Sequence, residues 1–168
     1  MAGVMSRILD AYPGSLDGAV GLTPEEIALI EEDQGVTLPE DYREFLALAG
    51  GGGFRAFQGE SYEFPEILGI KEYARDILEE AAPGESLDGC VVVLGHQGHI
   101  YAFIGPAEKG GKVYEVSETC EGVHECAPSF ASYLLGYLRR SSLAALRDPA
   151  AGRAAKRRGS WWRRSFFS

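Results

Sequence analysis

Histidine and cysteine are few enough in this chain to be weighed one by one. Cys120, His124 and Cys126 lie within seven residues, and His96 and His99 flank a glycine-bounded turn at residues 95–98. On paper these are the materials of a mixed-ligand zinc site, or of a metalloenzyme using His96, His99 and Cys120. The spacing argues otherwise: zinc motifs favour cysteines about two to four residues apart, and five residues separate Cys120 from Cys126. Cys90 heads the apolar run Val91, Val92, Val93, Leu94 and reads as a small buried hydrophobe. Three cysteines make no disulfide framework, in keeping with a reducing compartment.

Nucleophilic catalysis asks for a Ser or Cys, a His base in reach and a group that orients the base. No Gly-x-Ser-x-Gly elbow occurs, and the run Gly50, Gly51, Gly52, Gly53 lacks the Lys-Ser/Thr of a phosphate loop. That run follows a helix, so it presents carbonyls where phosphate wants N–H groups. The reading is of a protein that is not an enzyme, with no catalytic, cofactor-binding or metal-ligating residue and no cofactor.

What remains is charge. Residues 1–146 hold 9 basic and 24 acidic side chains, net −15, while residues 147–168 hold 7 and 1, net +6; together these give the −9 of the whole chain. An acidic body repels phosphate backbones and attracts cationic partners, which disfavours nucleic acid and favours a basic protein. The acidic residues most open to such a partner are Glu60, Glu63 and Glu66, around a strand in which Tyr62 and Phe64 alternate with Glu63. With the turn residues His96 and Gln97, the partner-binding expectation is Glu60, Tyr62, Glu63, Glu66, His96 and Gln97.

The elements that must carry these residues are legible in part. Residues 22–53, LTPEEIALIEEDQGVTLPEDYREFLALAGGGG, read as two capped helices. Thr23 with Glu26 forms a capping box, Pro24 takes the first helical position, Leu22 and Ile27 make a hydrophobic staple, and Gly35 supplies a left-handed end. The second helix starts at Leu38 and Pro39, with Glu40 and Asp41 against the positive end of its dipole. Tyr42, Phe45, Leu46 and Ala49 then follow at helical spacing.

An acidic helix ending in Gly, then Leu-Pro, an acidic residue, Tyr and Phe-Leu, closing on Gly-Gly, resembles the SUKH superfamily, which includes fungal cell-wall-assembly regulators and bacterial toxin-immunity proteins. The matching positions are Gly35, Leu38, Pro39, Asp41, Tyr42, Phe45, Leu46, Gly50 and Gly51. Ala49 stands where family members often carry Asn, a residue that could cap the helix end. The resemblance covers residues 22–138. It implies an α+β fold, with an antiparallel-rich twisted sheet packed against helices. It further implies an intracellular immunity protein that occludes a cognate toxin domain, a basic nuclease of a polymorphic toxin system by the charge argument. The alternative is a non-catalytic regulatory module for protein interaction, tethered to a membrane through its C-terminal tail.

Around the helical pair, Val4, Ile8 and Leu9 suggest a loosely docked N-terminal helix, and residues 54–57 a short strand that pairs with residues 62–64 across a turn at Gly59. Ile70, Tyr73, Ala74, Ile77, Leu78 and Ala81 predict an amphipathic helix with a solvated outer face. Residues 90–94, 99–104 and 113–117 read as a meander of strands, residues 120–128 as a loop, and Phe130, Leu134, Tyr137 and Leu138 as a last helix. This makes one domain over 1–146 and a tail over 147–168. The tail ends KRRGSWWRRSFFS, whose Trp161, Trp162, Phe166 and Phe167 amid arginines suit an anionic membrane surface, an acidic groove, single-stranded nucleic acid or the chain's own acidic body. The start of the chain carries charges and no long apolar core, and no run reaches the ~20 apolar residues of a spanning helix. The expected compartment is the cytoplasm.

Overall fold

The computed structural model describes residues 3–147; the basic aromatic tail, with Trp161, Trp162, Phe166 and Phe167, lies outside them. The fold is α+β. Its elements are α1 Val4–Asp10, α2 Pro24–Gln34, α3 Glu40–Ala49, α4 Ile70–Ala81, β1 Val91–His96, β2 Ile100–Ile104, β3 Val113–Ser117, β4 Cys120–Ala127 and α5 Phe130–Arg147. The strands form one open antiparallel sheet in the order β1-β2-β3-β4.

Local chemistry sets α2 and α3. The Thr23 hydroxyl accepts from the Glu26 N–H and the Glu26 carboxylate accepts from the Thr23 N–H, so two otherwise orphaned donors are satisfied. Gly35 ends α2 at φ 70°, where an L side chain would be strained. Pro39 is the N-cap of α3 and not its first helical residue. Tyr42, Phe45, Leu46 and Ala49 are all buried, as their spacing predicts.

Phe45 is the hub of the core. Its ring centroid lies 5.2 Å from Phe54, 5.4 Å from Phe57 and 5.5 Å from Phe130, each edge to face. This packing explains why residues 54–57 are not the expected strand. Phe54 and Phe57 both enter the core, and an i, i+3 pair shares a side only in a helical turn; the chain accordingly makes a short 3-10 turn at Arg55–Phe57. The expected pairing with residues 62–64 is replaced by one bridge between Ser61 and Gly95. The Tyr62 hydroxyl accepts from Phe54 N–H and Phe64 N–H donates to Gly50 O (both 2.9 Å), tying this segment to the end of α3.

Residues 120–128, expected as a loop, form β4 over Cys120–Ala127. The strand is hard to read because it lacks alternation: Gly122 has φ 85°, and its pairing with β3 shifts register twice. The sheet places α4 and α5 on opposite faces. Gly95 and Tyr101 are paired in register and meet Ile70 of α4. The neighbouring pair Ala102 and Glu115 points the other way, where Tyr133 of α5 bonds Glu115. Residues Phe130, Leu134, Tyr137 and Leu138 are buried on α5, as expected.

Two helices depart from their patterns. In α1 the buried residues are Met5 and Leu9, with Val4 exposed, and Met5 N–H donates to the Glu44 carboxylate at 2.8 Å; the helix is tied down on α3, not loosely docked. In α4, Tyr73 is 66% exposed while Lys71 is buried. The start of α4 meets the end of α2, whose last carbonyls attract a cation. Lys71 Nζ donates to Gln34 O (2.8 Å) and Cys90 O (2.7 Å).

Candidate partner-binding surface

The six residues expected to meet a partner divide into supports and exposed groups. His96 Nδ1 and Glu60 Oε2 are 2.9 Å apart, with side chains 11% and 6% exposed, so this pair forms a floor and not a rim. Tyr62 is buried against Phe45 and Phe57, its hydroxyl spent on Phe54 N–H. Glu63, Glu66 and Gln97 are exposed. Gln97 occupies the β1–β2 turn at φ 50°, and the Ser61 bridge holds residues 60–61 beside the end of β1. The structure therefore brings Glu60, His96 and Gln97 together at one end of the sheet and turns Tyr62 inward.

The neighbouring edge of β1 is closed by other groups. Gln34 Nε2 donates to Val92 O (2.9 Å) and its Oε1 accepts from Val92 N–H (3.2 Å). Ser61 and Gly95 exchange N–H···O bonds of 2.7 and 2.9 Å. A register shift between Val92 and Leu94 brings Val92 and Gly95, three residues apart, to the same outer side.

Beneath the surface lies a polar cluster that sequence patterning misses. Glu115 is only 7% exposed and accepts from the Tyr133 hydroxyl at 2.9 Å. Burial drives its carboxyl up to about 7, against the lowering effect of Tyr133, Cys126 and Arg140. Burial likewise pushes the Tyr133 and Tyr137 phenols well above their ordinary range, and the Cys126 thiol up to about 12. The Arg140 guanidinium sits 4.8 Å over the Tyr137 ring. As a strand residue alternating with Tyr114 and Val116, Glu115 looks solvent-facing; only its contact with α5 reveals it as interior.

On another side, Asp33, Gln34, Lys71, Glu72, Arg75 and Asp88 line an open polar cleft of about 280 Å³. Burial lowers the pKa of Lys71 and raises that of Cys90. With Lys71 clamped between two carbonyls, this cluster joins α2, α4 and β1.

The histidines and cysteines do not converge. His99 Nδ1 pairs with Glu118 at 2.8 Å, and the Cys126 thiol donates to His124 O at 3.4 Å. Among the described residues no group of three or more His, Cys, Asp or Glu could hold a metal ion. No helix among them is long and apolar enough to cross a membrane.

The sequence model of the SMI1 / KNR4 family (SUKH-1) matches residues 21–136, well over half the chain and running from the cap of α2 into α5. No protein with a curated description matches.

Proposed function

Because the chain belongs to the SMI1 / KNR4 family (SUKH-1), we propose that it is an immunity protein that binds and occludes a toxin domain, a basic nuclease of a bacterial polymorphic toxin system. Toxin-immunity proteins are among the members of that superfamily. The observation that carries the choice is charge: 24 acidic against 9 basic residues over 1–146, with Glu63 and Glu66 exposed on the segment that follows Glu60. Such a surface steers a cationic partner toward it and speeds association, while buried contacts set how slowly the complex dissociates. Glu63, Glu66 and Gln97 touch the partner in this reading; Glu60, His96 and Tyr62 hold the surface in shape. Inhibition is by coverage of the toxin, without chemistry.

The test is survival. The protein is co-expressed with the product of each neighbouring reading frame, and rescue from a toxic neighbour, with co-purification of the two, supports the reading and identifies the partner. A toxic neighbour that kills regardless, or none that is toxic, favours the regulatory interaction module instead.

A further inference from the structure

The outer face of α4 carries one aromatic residue among its charged ones. Its inner face is Ile70, Ala74, Ile77 and Leu78. Tyr73, at 66%, is the most exposed large hydrophobic side chain among the described residues.

Its surroundings are built. Ile70, one turn earlier, lies over Gly95, and the absence of a side chain there makes room for the Tyr101 ring: a Cβ on Gly95 would stand 2.9 Å from Tyr101 Cε1 and 3.4 Å from Ile70 Cδ1. The Tyr101 phenol is raised first by burial and then by its neighbours Tyr73, Glu118 and Asp76. Asp76 follows Tyr73 by one helical turn. Glu118 is fixed by two bonds to His99, one from its backbone N–H to His99 O at 3.1 Å and one from its carboxylate to His99 Nδ1 at 2.8 Å. The nearest cation on α4, Arg75, faces the polar cleft beside Asp33 and Asp88. An exposed phenol ring thus stands among carboxylates at the turn end of the sheet, the end that also carries Gln97.

We propose that Tyr73 is the aromatic anchor of the partner surface, receiving an arginine side chain from a basic partner segment, with Asp76 and Glu118 pairing to its guanidinium. The proposal rests on the reading above that the partner is a basic protein, and it extends the surface from Glu63, Glu66 and Gln97 around the end of the sheet onto α4. Arginine fits both parts of the site, since its planar guanidinium stacks on a tyrosine face and forks onto carboxylates, whereas lysine offers a compact charge. The carboxylates repel phosphate, which argues against a nucleic acid or a lipid headgroup as occupant. Tyrosine is also among the residues on which binding energy concentrates at interfaces.

The test uses the full-length chain, labelled with ¹⁵N and titrated at low salt with capped Gly-Arg-Gly-Arg-Gly and with its lysine counterpart. Expected are amide shifts at Tyr73, Asp76 and Glu118, and a preference for the arginine peptide of about threefold, the size of an exposed cation–π contact. Tyr73→Ala should abolish that preference and Tyr73→Phe should keep it; the site is exposed, so neither change threatens the fold. Equal binding of the two peptides, shifts confined elsewhere, or an undiminished preference in Tyr73→Ala would overturn the anchor. The outcome is separable from the survival assay. Rescue without arginine preference removes the anchor and leaves the immunity reading, while arginine preference without rescue keeps the anchor and removes the toxin.

Discussion

Replacing Glu115 with Gln should stabilise this protein at alkaline pH and leave it nearly unchanged in acid. The carboxyl titrates near 7 in the folded chain against 4.5 when solvated, because the folded state buries it between β3 and α5. Its folded value is raised, so its contribution to stability is fully present below about 4.5 and is lost as pH rises through 7. At about 1.4 kcal/mol per unit, the whole loss is about 3.5 kcal/mol, of which about 2.5 kcal/mol falls between pH 5 and pH 8. Gln keeps an oxygen to accept from the Tyr133 hydroxyl and never ionises. Urea unfolding of wild type and Glu115→Gln at both pH values reads the difference directly. The groups facing Glu115 are Tyr133, Cys126, Arg140 and Glu60, all present in both proteins, so their own titration largely cancels. A stability difference between the two proteins that is the same at pH 5 and pH 8 would refute a buried, neutral carboxyl.

Three further outcomes are expected. Thr23→Ala removes one half of the reciprocal cap of α2 and should cost about 1 kcal/mol in urea unfolding. Lys71→Met leaves Gln34 O and Cys90 O buried without their shared donor and should cost about 2 kcal/mol, visible as a lower melting temperature. With the partner in hand, reversing Glu63 and Glu66 to Lys should slow association severalfold at low salt and flatten its salt dependence in stopped-flow mixing, with little change in the dissociation rate.

Sequence patterning read best where structure is decided locally. The cap of α2, the turn at Gly35 and the buried stripe of Tyr42, Phe45, Leu46 and Ala49 each depend on residues within a few positions, and the structure bears them out. It failed where the deciding partner was distant. Residues 54–57 make a helical turn because Phe45 meets both phenylalanines and Tyr137 of α5 meets Phe57, and Tyr137 lies far along the chain. β4 is a strand because β3 pairs with it, although Gly122, His124 and Glu125 make a poor strand by propensity. The helical period assigns Tyr73 to the core, whereas two carbonyls, one on α2 and one ahead of β1, bury Lys71 instead. The expected surface met the same limit. Residue type and spacing point to both Glu60 and His96, but their pairing depends on the distant bridge of Ser61 to Gly95.

The closure of β1 bears on how any partner can be held. An uncovered outer strand is a template on which a foreign chain can zip, and proteins that must stay dissolved at high concentration blunt such rims. Here one side-chain amide, Gln34, imitates a neighbouring strand for a single residue, and Ser61 does so with its own backbone for another. Recognition beside this rim must then proceed through side chains, which are selective, and not through main-chain pairing, which accepts nearly any extended sequence. Each neighbouring helix and loop thus excludes promiscuous annealing at the place where a specific partner would dock.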